Sequence, residues 1–247
     1  MRVSPSIHLV ASGAAGFSLT DALDCNTWLI ETGDGLALFD TGAGRDIPAM
    51  LAEMQAGGLD PAQIRHIFLT HAHADHSGGA AALIERLPGI TLHAGREAAA
   101  RMASNDETRI SLDTARRLGV YPEDYRWRGA TVDNVIGDNG VVRIGAAAIQ
   151  LLETPGHSAD QCSFLVRTRD AAILVPGDAV FAGGKVILQD IADCSVSATL
   201  ASIRRLAALS FETFLPGHGL FALRDGRNHV LRGKAFADTG LAPPSFF

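Results

Sequence analysis

Four side chains with metal-binding chemistry stand close together in the stretch "LTHAHADHSGG" at residues 69–79. They are His71, His73, Asp75 and His76, and they include three of the nine histidines in the chain. His71 and His73 are two positions apart, so in an extended segment both side chains project to the same face. Imidazole and carboxylate groups without thiolates suit zinc, and also iron or manganese. The stretch therefore predicts a metal-binding loop.

Three further residues of the same types lie at later corners of the sequence. His157 and His218 each follow Pro-Gly directly, and Asp178 follows Pro176-Gly177. Loops at strand ends, held by a rigid sheet, are where binding groups are usually displayed. A lone His-x-His or a single corner histidine is weak evidence for metal, but the combined pattern favours it. Seven ligands are too many for one tetrahedral ion and suit two ions with a shared carboxylate and a bridging water.

Short strands and helices alternate through the first half of the chain and carry this loop. Asn26–Thr32 and Leu36–Asp40 are predicted to form a hairpin, because Gly33-Asp34-Gly35 between them supplies the positive φ of a tight turn. A helix is predicted over Ile47–Gln55 from its apolar spacing. A buried strand over Ile64–Leu69 then leads directly into the metal loop. This order indicates a layered α/β architecture.

The second half is also rich in strands. Four strands are predicted over Val141–Ile144, Ala148–Leu152, Ser163–Val166 and Ala172–Val175. A helix over 197–209 and a strand near 213–215 follow them and precede the last corner histidine. Because no linker or low-complexity tract divides the chain, we predict a single domain over residues 1–247.

Residues 97–127 interrupt this strand-rich pattern. They mix charges of both signs with scattered apolar residues, which predicts one or two helices. We interpret the segment as a helical lid insertion that covers a site. A solvated helical hairpin on the surface fits the same composition equally well.

Composition narrows the class of protein. A formal net charge of −6 argues against a nucleic-acid partner, which would require a basic face. Three widely spaced cysteines without a Cys-x-x-Cys pair indicate neither a disulfide framework nor a thiolate zinc knuckle. No apolar run approaches the roughly 20 residues of a membrane span, and the first 16 residues make a poor signal peptide. We expect a cytoplasmic protein with a small-molecule substrate, and the sequence leaves a homodimer open.

The spacing of these residues resembles the metallo-β-lactamase superfamily. Its signature is His-x-His-x-Asp-His, then a separate His, an Asp and a final His, matched here by His71, His73, Asp75, His76, His157, Asp178 and His218. The "FDTG" at 39–42 resembles an early strand-end Asp motif of the same superfamily. The resemblance covers nearly the whole chain. It implies an α/β fold of four layers, an αββα sandwich of two mixed β-sheets flanked by helices.

The resemblance also implies a role for each residue. It divides the ligands between two divalent ions, one held by His71, His73 and His157, the other by Asp75, His76 and His218, with Asp178 bridging. Asp40 would not ligate but would hydrogen-bond the metal loop. The ions, zinc first and iron or manganese as alternatives, would activate a bridging hydroxide that attacks a substrate carbonyl. Asp75 is the candidate catalytic residue, since it would also carry a proton to the leaving group.

Asp178 narrows the branch of the superfamily. True β-lactamases generally lack this Asp, and the commonest branch has a Cys in its place. With an Asp at this position, the chain resembles glyoxalase II-like thioesterases, quorum-signal lactonases, related ester hydrolases and tRNA-processing nucleases. The net negative charge of the chain argues against the nucleases. We therefore predict a dinuclear hydrolase of a carbonyl ester, lactone or thioester. Alternatives are a mononuclear iron oxidoreductase resembling persulfide dioxygenases, or a phosphodiesterase of the same superfamily.

Substrate contacts are harder to assign. The lactonases place a substrate-binding Tyr between the bridging Asp and the last His, whereas the two tyrosines here are Tyr121 and Tyr125. Glyoxalase II enzymes bind glutathione partly through a basic C-terminal helical region, whereas the 29 residues after His218 here contain four Lys or Arg residues. Candidate substrate contacts are Phe17, Phe181, Lys185 and Gln189. Lys185 and Gln189 also fit ordinary positions on a loop surface, and Phe181 also fits a position in the core.

Overall fold

The computed structural model describes residues 1–247 and contains two compact units, each with one mixed β-sheet. The first unit comprises Met1–Glu31 and Gly35–Val135, and the second comprises Thr32–Asp34 and Ile136–Phe247. Two mixed sheets flanked by helices are the predicted fold class, which is therefore confirmed. That both units form a single domain stays a prediction.

Seven strands follow one another across the first sheet in sequence order. They are β1 (Arg2–Ser4), β2 (Ile7–Ala11), β3 (Thr27–Glu31), β4 (Leu36–Phe39), β5 (Ile64–Leu69), β6 (Thr91–Gly95) and β7 (Asn134–Ile136). Strands β1 to β4 pair antiparallel, whereas β4, β5 and β6 pair parallel. The parallel connections carry the helices α1 (Ile47–Ala56), α2 (Ala74–Ser77) and α3 (Ala80–Arg86). Parallel strands need such crossovers.

The parallel pair β4 and β5 positions the metal loop. Phe39 pairs with Phe68, so the carboxyl ends of the two strands meet at one edge of the sheet and bring Asp40 beside Thr70. The last residues of β5 are fully buried, as expected of a parallel strand covered on both faces. Helix α1 begins where the Asp46 side chain accepts a hydrogen bond from the Ala49 N–H at 3.0 Å.

The predicted insertion forms two helices of the first unit, α4 (Arg96–Ser104) and α5 (Leu112–Arg117). The irregular chain after α5 buries Tyr121, Tyr125 and Trp127, each less than a tenth exposed. These aromatic rings belong to the hydrophobic core of the unit. The alternative of a solvated surface hairpin is therefore wrong, because the segment supplies core residues. Its role as a lid stays a prediction.

Five strands form the second sheet, in the order β12-β11-β10-β9-β8. They are β8 (Val141–Ile144), β9 (Ala147–Glu153), β10 (Cys162–Arg167), β11 (Ala172–Gly177) and β12 (Thr213–Pro216). Only β11 and β12 pair parallel, and α6 (Val196–Ala207) connects them. Gly177 pairs with Pro216, so the chain leaves both strands at the same edge, just before Asp178 and His218. The C-terminal helix α7 (Arg227–Asp238) packs against α6.

The sequence patterns did not reveal β1, β2, β7 or α7. Strand β2 lies in the apolar N-terminal stretch, which sequence analysis treated only as a poor leader. Helix α7 buries only Val230, Gly233 and Ala237, so its apolar pattern is weak. The longest helices, α6 and α7, have 12 residues, and none of the helices has the length and apolar character needed to cross a bilayer.

A hydrogen-bonded pair of imidazoles links β5 to β6. Nε2 of His93 lies 3.0 Å from Nδ1 of His66, and the Asn134 amide nitrogen lies 3.0 Å from Nδ1 of His93. The His93 ring is buried and stacks on Phe68 with ring centroids 4.3 Å apart. Burial, followed by the neighbouring His66, lowers the pKa of His93 to about 4.

We expect the metal-free protein to lose stability as the pH falls from about 6.5 to about 4. The unfolded chain takes up a proton on His93 near pH 6.5, whereas the folded chain resists it until about pH 4. The stabilising contribution is complete above pH 6.5 and is lost on acidification, by roughly 2–3 kcal/mol at pH 4.5. Urea unfolding in the presence of a chelator should show that the free energy of unfolding falls less between pH 7 and pH 4.5 in His93→Gln than in wild type. An equal loss in both proteins would contradict the assignment.

Candidate metal centre

The predicted metal loop follows β5 and ends in the single turn of α2. His71, His73 and His76 are buried, and Asp75 in the first turn of α2 is partly exposed. The His71 ring centroid lies 4.6 Å from that of His73 and 4.1 Å from that of His76. The fold of the first unit thus brings the three imidazoles of the loop into contact.

Asp40 holds this loop from the end of β4. One carboxylate oxygen, Oδ1, accepts the backbone N–H of Thr70 at 2.8 Å. The other, Oδ2, accepts the Thr70 hydroxyl and Nδ1–H of His76, each at 2.8 Å. Asp40 has a left-handed backbone with φ of 60°, which Asp tolerates because its short polar side chain bonds locally. The hydrogen bonds expected of Asp40 are therefore present.

These hydrogen bonds determine which nitrogen of each ring keeps a lone pair that could bind a metal ion. Nδ1 of His71 lies 3.0 Å from the Thr70 hydroxyl, whose own proton goes to Asp40. Nδ1 of His76 donates to Asp40 directly. A neutral ring protonated at Nδ1 has its lone pair on Nε2. Metal-binding histidines usually have this arrangement, with the second nitrogen donating to a carboxylate or another acceptor.

Asp75 and His76 have the spacing of two ligands to one ion. Oδ2 of Asp75 lies 3.5 Å from Nε2 of His76, which is too long for a hydrogen bond. Two atoms that each bind a tetrahedral zinc ion at about 2.0–2.1 Å lie about 3.4 Å apart. The second oxygen, Oδ1, accepts the Tyr121 hydroxyl at 3.1 Å. Burial, and then the Asp75 charge, raise the pKa of Tyr121 well above its usual value, so this hydroxyl stays protonated.

The second unit brings its three predicted ligands together at the strand ends. Asp178 follows β11, His218 follows β12, and His157 lies between β9 and β10, all buried. Oδ2 of Asp178 lies 3.6 Å from Nε2 of His157 and 3.4 Å from Nε2 of His218. These distances again exceed hydrogen bonds and match the separation of two ligands on one ion. One oxygen of Asp178 thus lies between two imidazole nitrogens.

Polar side chains that sequence analysis missed hold this second set. Buried Gln161 accepts the Asp178 N–H at 3.2 Å and donates to the Pro176 carbonyl at 3.0 Å, which secures the corner after β11. Nδ1 of His157 donates to the Ile187 carbonyl at 3.3 Å, so its Nε2 is the nitrogen that faces Asp178. A lone Gln in a strand-rich sequence carries no pattern that would reveal this role.

Aromatic residues after α5 donate hydrogen bonds to groups around the loop of the first unit, and these contacts too were missed. The Tyr125 hydroxyl donates to the Ala43 carbonyl at 2.8 Å, and the Trp127 indole N–H donates to the Ser77 hydroxyl at 2.9 Å. Ser77 in turn donates to the carbonyls of Ala72 and His73. The only signal in the sequence was the concentration of aromatic residues in an otherwise charged segment.

Cys25 lies against the loop and is not among the predicted ligands. Its sulfur belongs to a cluster with Asp40 and His76, where Nδ1 of His76 already donates to Asp40. Burial raises the pKa of the Cys25 thiol to about 12, so it is neutral at pH 7. Cys25 is fully buried beside the loop.

The candidate substrate contacts fall in different environments. Phe17 is partly exposed in the loop after β2, and Lys185 and Gln189 are exposed. Phe181 is fully buried and packs on Phe246 with ring centroids 4.7 Å apart, so it serves the core. The roles of all four residues as substrate contacts stay predictions.

Curated relatives share part of their length with this chain. It is 30% identical over 220 residues to the lactamase-like protein vrtG of Penicillium aethiopicum, covering 88% of this chain and 58% of the relative. It is 29% identical over 194 residues to the thioesterase pkgB of Emericella nidulans, covering 78% of this chain and 45% of the relative. The chain thus spans about half the length of the curated relatives it matches.

Solved metallo-β-lactamases have the same fold. A metallo-β-lactamase from Cronobacter sakazakii superposes with a TM-score of 0.74 at 22% identity, covering 97% of this chain and 95% of that one. FEZ-1 from Legionella gormanii superposes with a TM-score of 0.72 at 17% identity, covering 97% and 94%. The sequence profile described as the metallo-beta-lactamase superfamily matches residues 20–218, which include all seven predicted ligands. The chain therefore belongs to the metallo-β-lactamase superfamily.

Proposed function

We propose that the chain is a dinuclear metal-dependent hydrolase that cleaves a carbonyl ester, lactone or thioester of a small molecule. The observation that carries this proposal is Oδ2 of Asp178, which lies 3.4–3.6 Å from two imidazole nitrogens. A carboxylate can bridge two ions there, where the commonest β-lactamases have a Cys. The thioesterase among the relatives supports a thioester as one of the candidate bonds.

Seven residues would hold the two ions in this proposal, with zinc expected first and iron or manganese as alternatives. One ion would take His71, His73 and His157, the other would take Asp75, His76 and His218, and Asp178 would be shared. Their imidazole and carboxylate donors, with Nδ1 engaged on His71, His76 and His157, fit such ions. When bound, two divalent ions supply Lewis acidity and bring the pKa of a water toward neutrality.

The other residues of the site orient these ligands and handle the proton. Asp40 fixes the ring of His76 and, through Thr70, the ring of His71. Asp75 would take up the proton that the attacking water loses and pass it to the oxygen or sulfur that leaves the substrate, while its Oδ1 accepts the Tyr121 hydroxyl. Burial of the histidines keeps bulk water from competing for these contacts.

The proposal predicts both a metal content and a reaction. Purified protein should contain about two zinc-like ions per chain and hydrolyse at least one activated ester, lactone or thioester in a broad panel. Element analysis followed by the hydrolysis screen tests both points. Two bound ions with no hydrolysis of the panel would sink the proposal. One iron with oxygen consumption on a persulfide would instead identify the oxidoreductase alternative.

Asp178→Ala should lower turnover at least about 100-fold and reduce the metal content, because the shared ligand is lost. The fold should remain, since the change removes a side chain at a strand end. Turnover, element analysis and circular dichroism measure the three effects. Asp170→Ala, at an exposed position in the β10–β11 turn, is the matched control. Full activity in Asp178→Ala would refute a bridging role.

Asp40→Asn should weaken metal binding about 10- to 100-fold, because an amide cannot accept all three hydrogen bonds that orient Thr70 and His76. It should also lower the free energy of unfolding of the metal-free protein by about 1–3 kcal/mol. Competition with a chelator and urea unfolding give the two quantities. Wild-type metal affinity in this variant would show that the network does not orient the ligands.

A further inference from the structure

The two oxygens of Asp75 have different neighbours in the first unit. Oδ1 accepts the hydroxyl of Tyr121 at 3.1 Å, whereas Oδ2 lies 3.5 Å from Nε2 of His76. The first contact is a hydrogen bond and the second has the spacing of two metal ligands. One oxygen of the carboxylate thus accepts a hydrogen bond, and the other has the position of a metal ligand beside His76.

We propose that Tyr121 is a positioning residue that reserves Oδ1 of Asp75 for its hydroxyl and directs Oδ2 to the ion shared with His76. The inference rests on the proposed function, because it concerns one of the two proposed metal sites. It adds a residue from the segment after α5, which lies outside the metal-binding signature in the sequence.

A carboxylate in the position of Asp75 needs such a partner. The terminal torsion of an Asp side chain is broad, so the group can rotate and offer either oxygen or both to an ion. A hydrogen bond to a charged group contributes about 1.5–3 kcal/mol, which is sufficient to select one orientation. Asp75 is partly exposed, so the buried Tyr121 supplies an anchor that solvent would not.

Tyr121 is itself held firmly enough to act as an anchor. Its ring packs on that of Tyr125 with centroids 5.0 Å apart, a ring contact that does not depend on the Tyr125 hydroxyl. Just before it, the Val120 N–H donates to the Ala115 carbonyl at 2.9 Å. Arg116 pairs with Glu107 at 2.8 Å and also donates to the Tyr125 carbonyl. These contacts tie the hydroxyl of Tyr121 to α5 and to the core.

Tyr125 offers a matched control for a test by substitution. Tyr121→Phe and Tyr125→Phe each remove one buried hydroxyl from the same segment. The hydroxyl of Tyr125 bonds the backbone carbonyls of Ala43 and Ala74 at 2.8 and 3.5 Å, and not a metal-binding side chain. A purely structural role would therefore affect both variants alike, whereas a positioning role would affect only Tyr121→Phe.

The measurement is the affinity of each zinc ion, obtained by competition with a chelator, together with the absorption spectrum of the cobalt-substituted protein. Tyr121→Phe should weaken one of the two ions about 10- to 100-fold and change the cobalt spectrum. Tyr125→Phe should keep both affinities within about twofold of wild type and lower only the urea midpoint. Equal affinities in wild type and Tyr121→Phe would overturn the inference.

A double-mutant cycle separates positioning from general destabilisation. In an Asp75→Asn background, Tyr121→Phe should have no further effect on zinc affinity, because the hydroxyl acts through that carboxylate. A further loss of similar size would overturn the inference even if Tyr121→Phe alone weakened binding.

The outcomes also separate this inference from the proposed function. Two zinc ions in wild type with no change in Tyr121→Phe contradict only the inference. A single ion whose affinity falls in Tyr121→Phe contradicts the two-metal proposal and supports the role of Tyr121. A wild-type protein that binds no divalent ion contradicts both.

Discussion

The carboxylate of Asp40 is the interaction on which the rest of the metal loop depends. Its three hydrogen bonds reach the backbone and hydroxyl of Thr70 and the ring of His76. A buried carboxylate is costly unless such donors surround it, so the loop and the end of β4 stabilise one another. The same contacts assign the tautomers of His71 and His76, which links the packing of two strands to the chemistry of the ligands.

Both units use the same device to display polar groups. In each, the chain leaves two paired parallel strands at one edge of a sheet, β4 with β5 and β11 with β12. The residues just after those strands include Asp40 and His71 in the first unit and Asp178 and His218 in the second. Strand ends fixed by a buried sheet hold side chains to a geometry that a free loop could not maintain, and metal binding requires such a geometry.

Much of this could be predicted because buried strands and metal ligands leave local patterns. The strand Ile64–Leu69 was predicted at its observed ends, since its apolar residues, Ile64 and Ile67 to Leu69, form a short stretch that leads directly into the metal loop. Tyr121 and Gln161 could not be predicted, because each acts on a residue 46 or 17 positions away through contacts that only the fold creates. Helix α7 was missed because it buries little apolar surface.

The central claim is that imidazole and carboxylate groups of this chain hold two adjacent ions with a shared aspartate. X-ray absorption spectroscopy of the zinc-loaded protein tests it most directly, because the method reports ligand atoms and neighbouring metals together. The account predicts nitrogen and oxygen ligands at about 2.0–2.2 Å, no sulfur, and metal–metal scattering at roughly 3.5–4 Å. A sulfur ligand at about 2.3 Å, or zinc without a neighbouring metal, would contradict it.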